Sequence, residues 1–107
     1  MIKKALSLLV LTAAETVSAA PRLPKDVQTF VKNAEACEHL AGEWDSDLPK
    51  SERREITRSI KQYCAPAKQQ LALLTKKYKE NPPVLRTISK HAYDSVKSYT
   101  EVAPDDD

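Results

Sequence analysis

A chain of 107 residues has room for one domain, and 17 Lys and Arg against 15 Asp and Glu give a formal net charge of +2, too small to mark a nucleic-acid binder. A single glycine all but excludes a fold built on tight hairpins, whose turns need positive φ. What remains is an all-α protein: a small bundle of about four helices with one disulfide, preceded by a cleavable signal peptide.

Lys3 and Lys4 make a positive start, Ala5 to Ala14 is an apolar run, and Val17-Ser18-Ala19 is the small-residue pattern that signal peptidase reads. Residues 1–19 are therefore expected to be a signal peptide, 20–103 the helical domain and 104–107 an acidic tail. The apolar run falls short of the roughly 20 residues that span a bilayer, so no stable membrane insertion is expected after cleavage. A periplasmic or secreted protein follows, and in that oxidising setting Cys37 and Cys64 are expected to pair.

Pro21 and Pro24 keep the start of the domain extended, and Asp26 reads as the N-cap of a first helix. Val27, Phe30, Val31, Ala34, Cys37 and Leu40 recur at three- and four-residue steps, which predicts one apolar face. Gly42 should stop this helix in the left-handed position that suits glycine best. The connection from Glu43 to Lys50 holds Trp44, Leu48 and Pro49 and should fold back onto the core.

Ser51 can cap a second helix, with Ile56, Ile60 and Tyr63 on its inner stripe. Pro66 lacks an amide hydrogen and suits the first turn of a new helix. The run therefore divides into helix two, about Ser51 to Tyr63, and helix three, about Pro66 to Lys79; a single kinked helix is the alternative. Ala67, Leu71, Leu74 and Tyr78 pack helix three. Asn81-Pro82 opens a fourth helix carrying Leu85, Ile88, Ala92, Val96 and Tyr99.

Cys37-Glu38-His39-Leu40-Ala41-Gly42-Glu43, then Cys64, then Leu71 and Leu74 leading into Lys77-Tyr78, resembles a group of small, uncharacterised exported bacterial proteins. Their shared pattern is Cys-Asp/Glu-His-Phe/Leu-x-Gly-Glu, a second cysteine some 25 residues on, and a Leu-x-x-Leu-x-x-Lys-Tyr helix. The match covers about Val27 to Ile88. It departs at Ala65-Pro66, where the pattern has a glycine-containing turn. The resemblance implies export and the cysteine pair, but no biochemistry.

The same stretch supplies the candidate binding surface: Glu38, His39, Glu43 and Trp44. From Glu35 to Asp47 there are five acids and no Lys or Arg, whereas from Lys50 to Lys90 eleven basic residues face three acids. Glu35, His39 and Glu43 stand at i, i+4 and i+8, a spacing that could offer zinc, copper or nickel a face of ligands. A glycine stop at Gly42 would remove Glu43 from that face, and the plainer role for His39 is to anchor the helix end through Glu43 or a carbonyl. His91 has no partner motif. Trp44 either plugs the open end of the bundle against Leu48 and Ile56 or stands exposed as an anchor for a partner; the plug is the favoured expectation.

No catalytic constellation forms. Glu38 and Glu43 as a glycosidase pair would need a sugar cleft that so small a domain scarcely offers. Cys37 and His39, two apart on a helix, point to different sides. The expectation is a protein that is not an enzyme and needs no cofactor. It would bind another envelope or secreted protein, as an inhibitor or immunity-type factor does; metal binding through His39 and its neighbouring carboxylates is the alternative.

Overall fold

The computed structural model describes residues 22–101, which form four helices and no strand. The expected signal peptide and the acidic tail lie outside the described residues. In chain order the helices are α1 (Lys25–Glu43), α2 (Lys50–Lys77), α3 (Pro82–Lys90) and α4 (Asp94–Lys97).

The first two make an antiparallel hairpin. Asp26 lies opposite Lys77 and Tyr78, Asn33 opposite Gln70, and Cys37 is bonded to Cys64. Val27, Phe30, Ala34 and Cys37 form the buried stripe of α1, at the three- and four-residue steps read from the sequence. Cys64, Ala67 and Leu74 answer them from α2, with Ile60, Tyr63 and Leu71 half-buried alongside. The disulfide has Cα atoms 4.8 Å apart, and both cysteines are buried.

Neither hairpin helix starts where a capping side chain was expected. Pro24 and Pro49 occupy the N-cap positions with no side-chain cap bond. Their extended backbones, with ψ of 150° and 149°, turn the chain into each helix. Asp26 thus falls inside the first turn, where its charge still suits the positive helix end.

Three expected boundaries are corrected. Gly42 does not end α1: no glycine has positive φ among the described residues, and the helix runs on to Glu43 before Trp44 turns extended at φ −69° and ψ 134°. Pro66 does not divide the middle of the chain either, because α2 continues through it for 28 residues. The carbonyl that Pro66 leaves without an intrahelical donor belongs to Gln62, which is exposed, so water can satisfy it. The expected fourth helix is instead broken after Lys90. Tyr93 is extended there, and α4 packs against both α1 and α2. Breaking the helix takes Val96 into the core and sets Tyr93 and Tyr99 against it, burial that a straight helix would forgo.

Asn81 behaves as expected, accepting a hydrogen bond from the Val84 amide at 3.3 Å. The tail after α4 returns to α2: Lys68 Nζ donates to the Tyr99 carbonyl at 2.6 Å, and Lys61 pairs with Glu101 at 2.5 Å.

Candidate functional site

Beyond Cys37 on α1 and before Cys64 on α2, no residue is fully buried. By the hairpin register Glu43 comes level with the Arg58–Ile60 turn, so the first two turns of α2 run past the end of α1 and the connection climbs beside them. Residues 38–63 are thus a projecting tip, with the disulfide at its base.

The candidate surface lies at this tip, though not all of it faces the same way. His39 Nε2 stands 3.2 Å from Glu43 Oε2, an i, i+4 pair that exists because α1 continues through Gly42. Both side chains are well exposed. Trp44 follows directly and is 41 % exposed. Trp44 is not among the side chains packed on the buried core, whereas Leu48 and Ile56, its expected neighbours, are half-buried.

Asp45 shapes the loop. Its Oδ1 accepts from the Asp47 amide at 2.9 Å and its carbonyl accepts from the Leu48 amide at 3.1 Å, the bonds of an Asx-type turn. Asp45 is a positioning residue absent from the expected surface of Glu38, His39, Glu43 and Trp44, and the signal for it is an Asp in a short loop ahead of Pro49, whose carboxylate can bond the amide two residues on. The α1 end carries no basic residue in its last turn, so Glu43, Asp45 and Asp47 add to the negative end of the helix dipole. The tip thus carries charges of both signs, these acids at the end of α1 and Lys50, Arg53, Arg54 and Arg58 on the first turns of α2.

Glu38 belongs elsewhere. It accepts from Ser95 Oγ at 2.7 Å, which ties α1 to the first turn of α4 one helical face away from the tip loop. Glu35 is drawn to the same side, 3.4 Å from His91 Nε2. His91 therefore does have a partner, one that its sequence neighbourhood could not reveal. Its Nδ1 lies 2.9 Å from the Thr87 carbonyl, and Tyr93 meets the ring edge-on at 5.8 Å. Burial raises the Tyr93 phenol above its ordinary value, and the nearby Glu35 and Glu38 carboxylates add to the shift.

A third cluster closes the far end of the hairpin. Lys77 Nζ donates to Asp26 Oδ2 at 2.6 Å, and the Tyr78 hydroxyl donates to Asp26 Oδ1 at 2.9 Å. Lys77 holds the Asp26 carboxyl below its ordinary value, and Asp26 in turn raises Lys77.

The expected ligand face Glu35–His39–Glu43 is divided, Glu35 going to His91 while His39 goes to Glu43. Among the described residues no group of three or more His, Cys, Asp or Glu could hold a metal ion, so a metal reading has only the His39–Glu43 pair to stand on. No described helix is long and apolar enough to cross a membrane. No protein-family model matches the chain, and neither curated proteins nor solved structures give a match.

Proposed function

We propose that this is an exported, disulfide-stapled helical binding module, acting in the periplasm or outside the cell on another envelope or secreted protein. A buried disulfide and the absence of a membrane-crossing helix among the described residues are compatible with an extracellular location. The apolar leader and the motif around Cys37 support the finer address.

One observation carries the binding role: an exposed tryptophan stands on a projecting tip that the protein's own core leaves uncovered. Aromatic anchors contribute disproportionately to interfaces, and the partner this one fits offers an apolar pocket with polar groups at its rim for the charges beside Trp44 in the sequence. Inhibition of a wall-directed enzyme would suit such a tip.

The test is affinity capture from envelope extract with the wild type, the Trp44→Ala/Glu43→Ala double variant and Lys32→Ala as a control on α1 away from the tip. The reading expects a partner retained by wild type and control and lost by the double variant. Identical capture by all three would refute the tip as the binding surface.

A further inference from the structure

Among the described residues the hairpin is covered on one side only. α3, α4 and the chain after them are fastened to it through Glu35 and Glu38 of α1 and through Lys61 and Lys68 of α2. At 100° per residue, the opposite side of α1 presents Thr29, Asn33, Ala36 and Leu40, all uncharged, with Lys32 at the rim. The matching side of α2 carries no charge from residue 59 to residue 73. Asn33 and Gln70 bond across the middle of this open face at 3.1 Å. Beside them Thr29, Gln70 and Leu74 line a shallow groove with Leu73, which is 61 % exposed.

The charges that bound this face differ in sign between its two ends. At the packed end Lys25 of α1 comes level with Lys77 of α2, the residue bound to Asp26. At the tip end stand Glu43 of α1 and Glu55 of α2. Lys25 and Glu43 are separated by five whole turns, so they share one angle on α1, about 27 Å apart. Both are exposed, and the His39 that Glu43 meets on its own helix is exposed as well.

A face with cations at one end, acids at the other and neutral side chains between complements itself when a copy is turned end for end. A length of about 27 Å and a width of two helices, about 20 Å, offer about 500 Å² per copy and about 1,000 Å² in all, the lower limit for a specific interface. We infer that a second copy of this chain is the occupant of this face, related by a twofold axis that crosses the hairpin near Asn33 and Gln70, so that two hairpins close an antiparallel four-helix bundle. Lys25 then meets Glu43 of the second copy, and the symmetry repeats that pair. Leu73 comes level with Tyr63 of the second copy. A copy turned the other way, tip beside tip, would set Glu43 against Glu55 and Lys25 against Lys77. The claim is independent of what the Trp44 tip binds, since it concerns the purified chain alone.

The experiment is sedimentation equilibrium of the oxidised chain, purified after export, from about 10 to about 500 μM, a range set by the modest area. Wild type is expected to pass from monomer to dimer within it. Lys25→Glu and Glu43→Lys are each expected to weaken association about fivefold, because each turns two attractions into repulsions. The Lys25→Glu/Glu43→Lys double variant is expected to restore it. Leu73→Asp, which places a charge in the middle of the face, is expected to leave a monomer throughout. Both reversals suit the dipole of α1, acid at its start and base at its end, so lost folding does not imitate lost association. A wild type that stays monomeric, a dimer indifferent to Leu73→Asp, or single reversals that the double variant fails to rescue would overturn the inference.

Discussion

The two ends of the hairpin are held in different ways. Among the described residues every fully buried side chain lies in the region formed by residues 27–37 and 64–96, where Val27 and Phe30 of α1, Cys64 and Ala67 of α2, Ile88 of α3 and Val96 of α4 share one core cluster. The described residues of 38–63 include none, and this region meets the segment that follows α3 through Glu38 to Ser95 and Lys61 to Glu101, near its base. The disulfide sits on the border between them. Small exported domains use a covalent bond where apolar burial runs out. Here that principle separates a packed half that supplies stability from a projecting half that is free to present Trp44.

The contrast is sharpened most by removing the central aromatic of the packed half. Phe30→Ala deletes a fully buried ring, which costs about 3–5 kcal/mol. Urea denaturation should show that loss as a fall in midpoint across the whole chain, since every helix touches the same core.

Breaking the staple should act unevenly. The bond closes 27 positions, a loop worth about 3.5 kcal/mol in the chain-entropy account. Reduction, or the Cys37→Ala/Cys64→Ala double variant, should lower global stability by roughly that amount. Hydrogen exchange should meanwhile accelerate first at residues 38–63, whose opening no longer has to work against the bond. Uniform acceleration over both regions would break the comparison.

A smaller effect belongs to the far end of the packed half. Lys77 and Tyr78 hold the Asp26 carboxyl below its ordinary value of 3.8, so the contact stabilises the fold above that value and fades as pH falls through the lowered one. Asp26 and Lys77 are 37 % and 60 % exposed, which leaves the contact open to screening. Asp26→Asn should therefore narrow its gap from wild type as the solution is acidified below about pH 3.8, and also as salt is added. Acid titrations of thermal stability at low and high salt would check both.

Much of this was legible in the sequence. The apolar steps from Val27 to Cys37, the cysteine pair and the Asn81 cap each depend on residues near in sequence or on chemistry with few alternatives. The boundaries that escaped depend on something else. Whether Pro66 breaks α2 is decided by whether the Gln62 carbonyl can find water, a question of exposure. The break after Lys90 is decided by what Val96 gains by docking on a hairpin that is itself non-local. The partners of Glu38 and His91 lie 57 and 56 positions away, beyond the reach of any periodicity. Asp45 was legible as a turn residue, since its bond reaches only two positions along the chain.

Gly42 separates the two accounts of the α1 end by the sign of one change. A left-handed stop would make Gly42→Ala destabilising, but Gly42 is helical with nothing within 4 Å of an added Cβ. Alanine should therefore stabilise by about 0.5 kcal/mol, at the low end of the helix-propensity difference because the site lies in the last turn. A fall in thermal midpoint instead would restore the stop.

Trp44→Ala should have the least effect on stability of all. Its indole is 41 % exposed and outside the core cluster, so the midpoint should shift by no more than about 0.5 kcal/mol, as for an ordinary surface substitution. Set beside Phe30→Ala, this compares the chain's only Trp with its only Phe. A large loss from Trp44→Ala would mean that the indole closes the bundle after all, and the tip would lose its claim to be a surface kept for a partner.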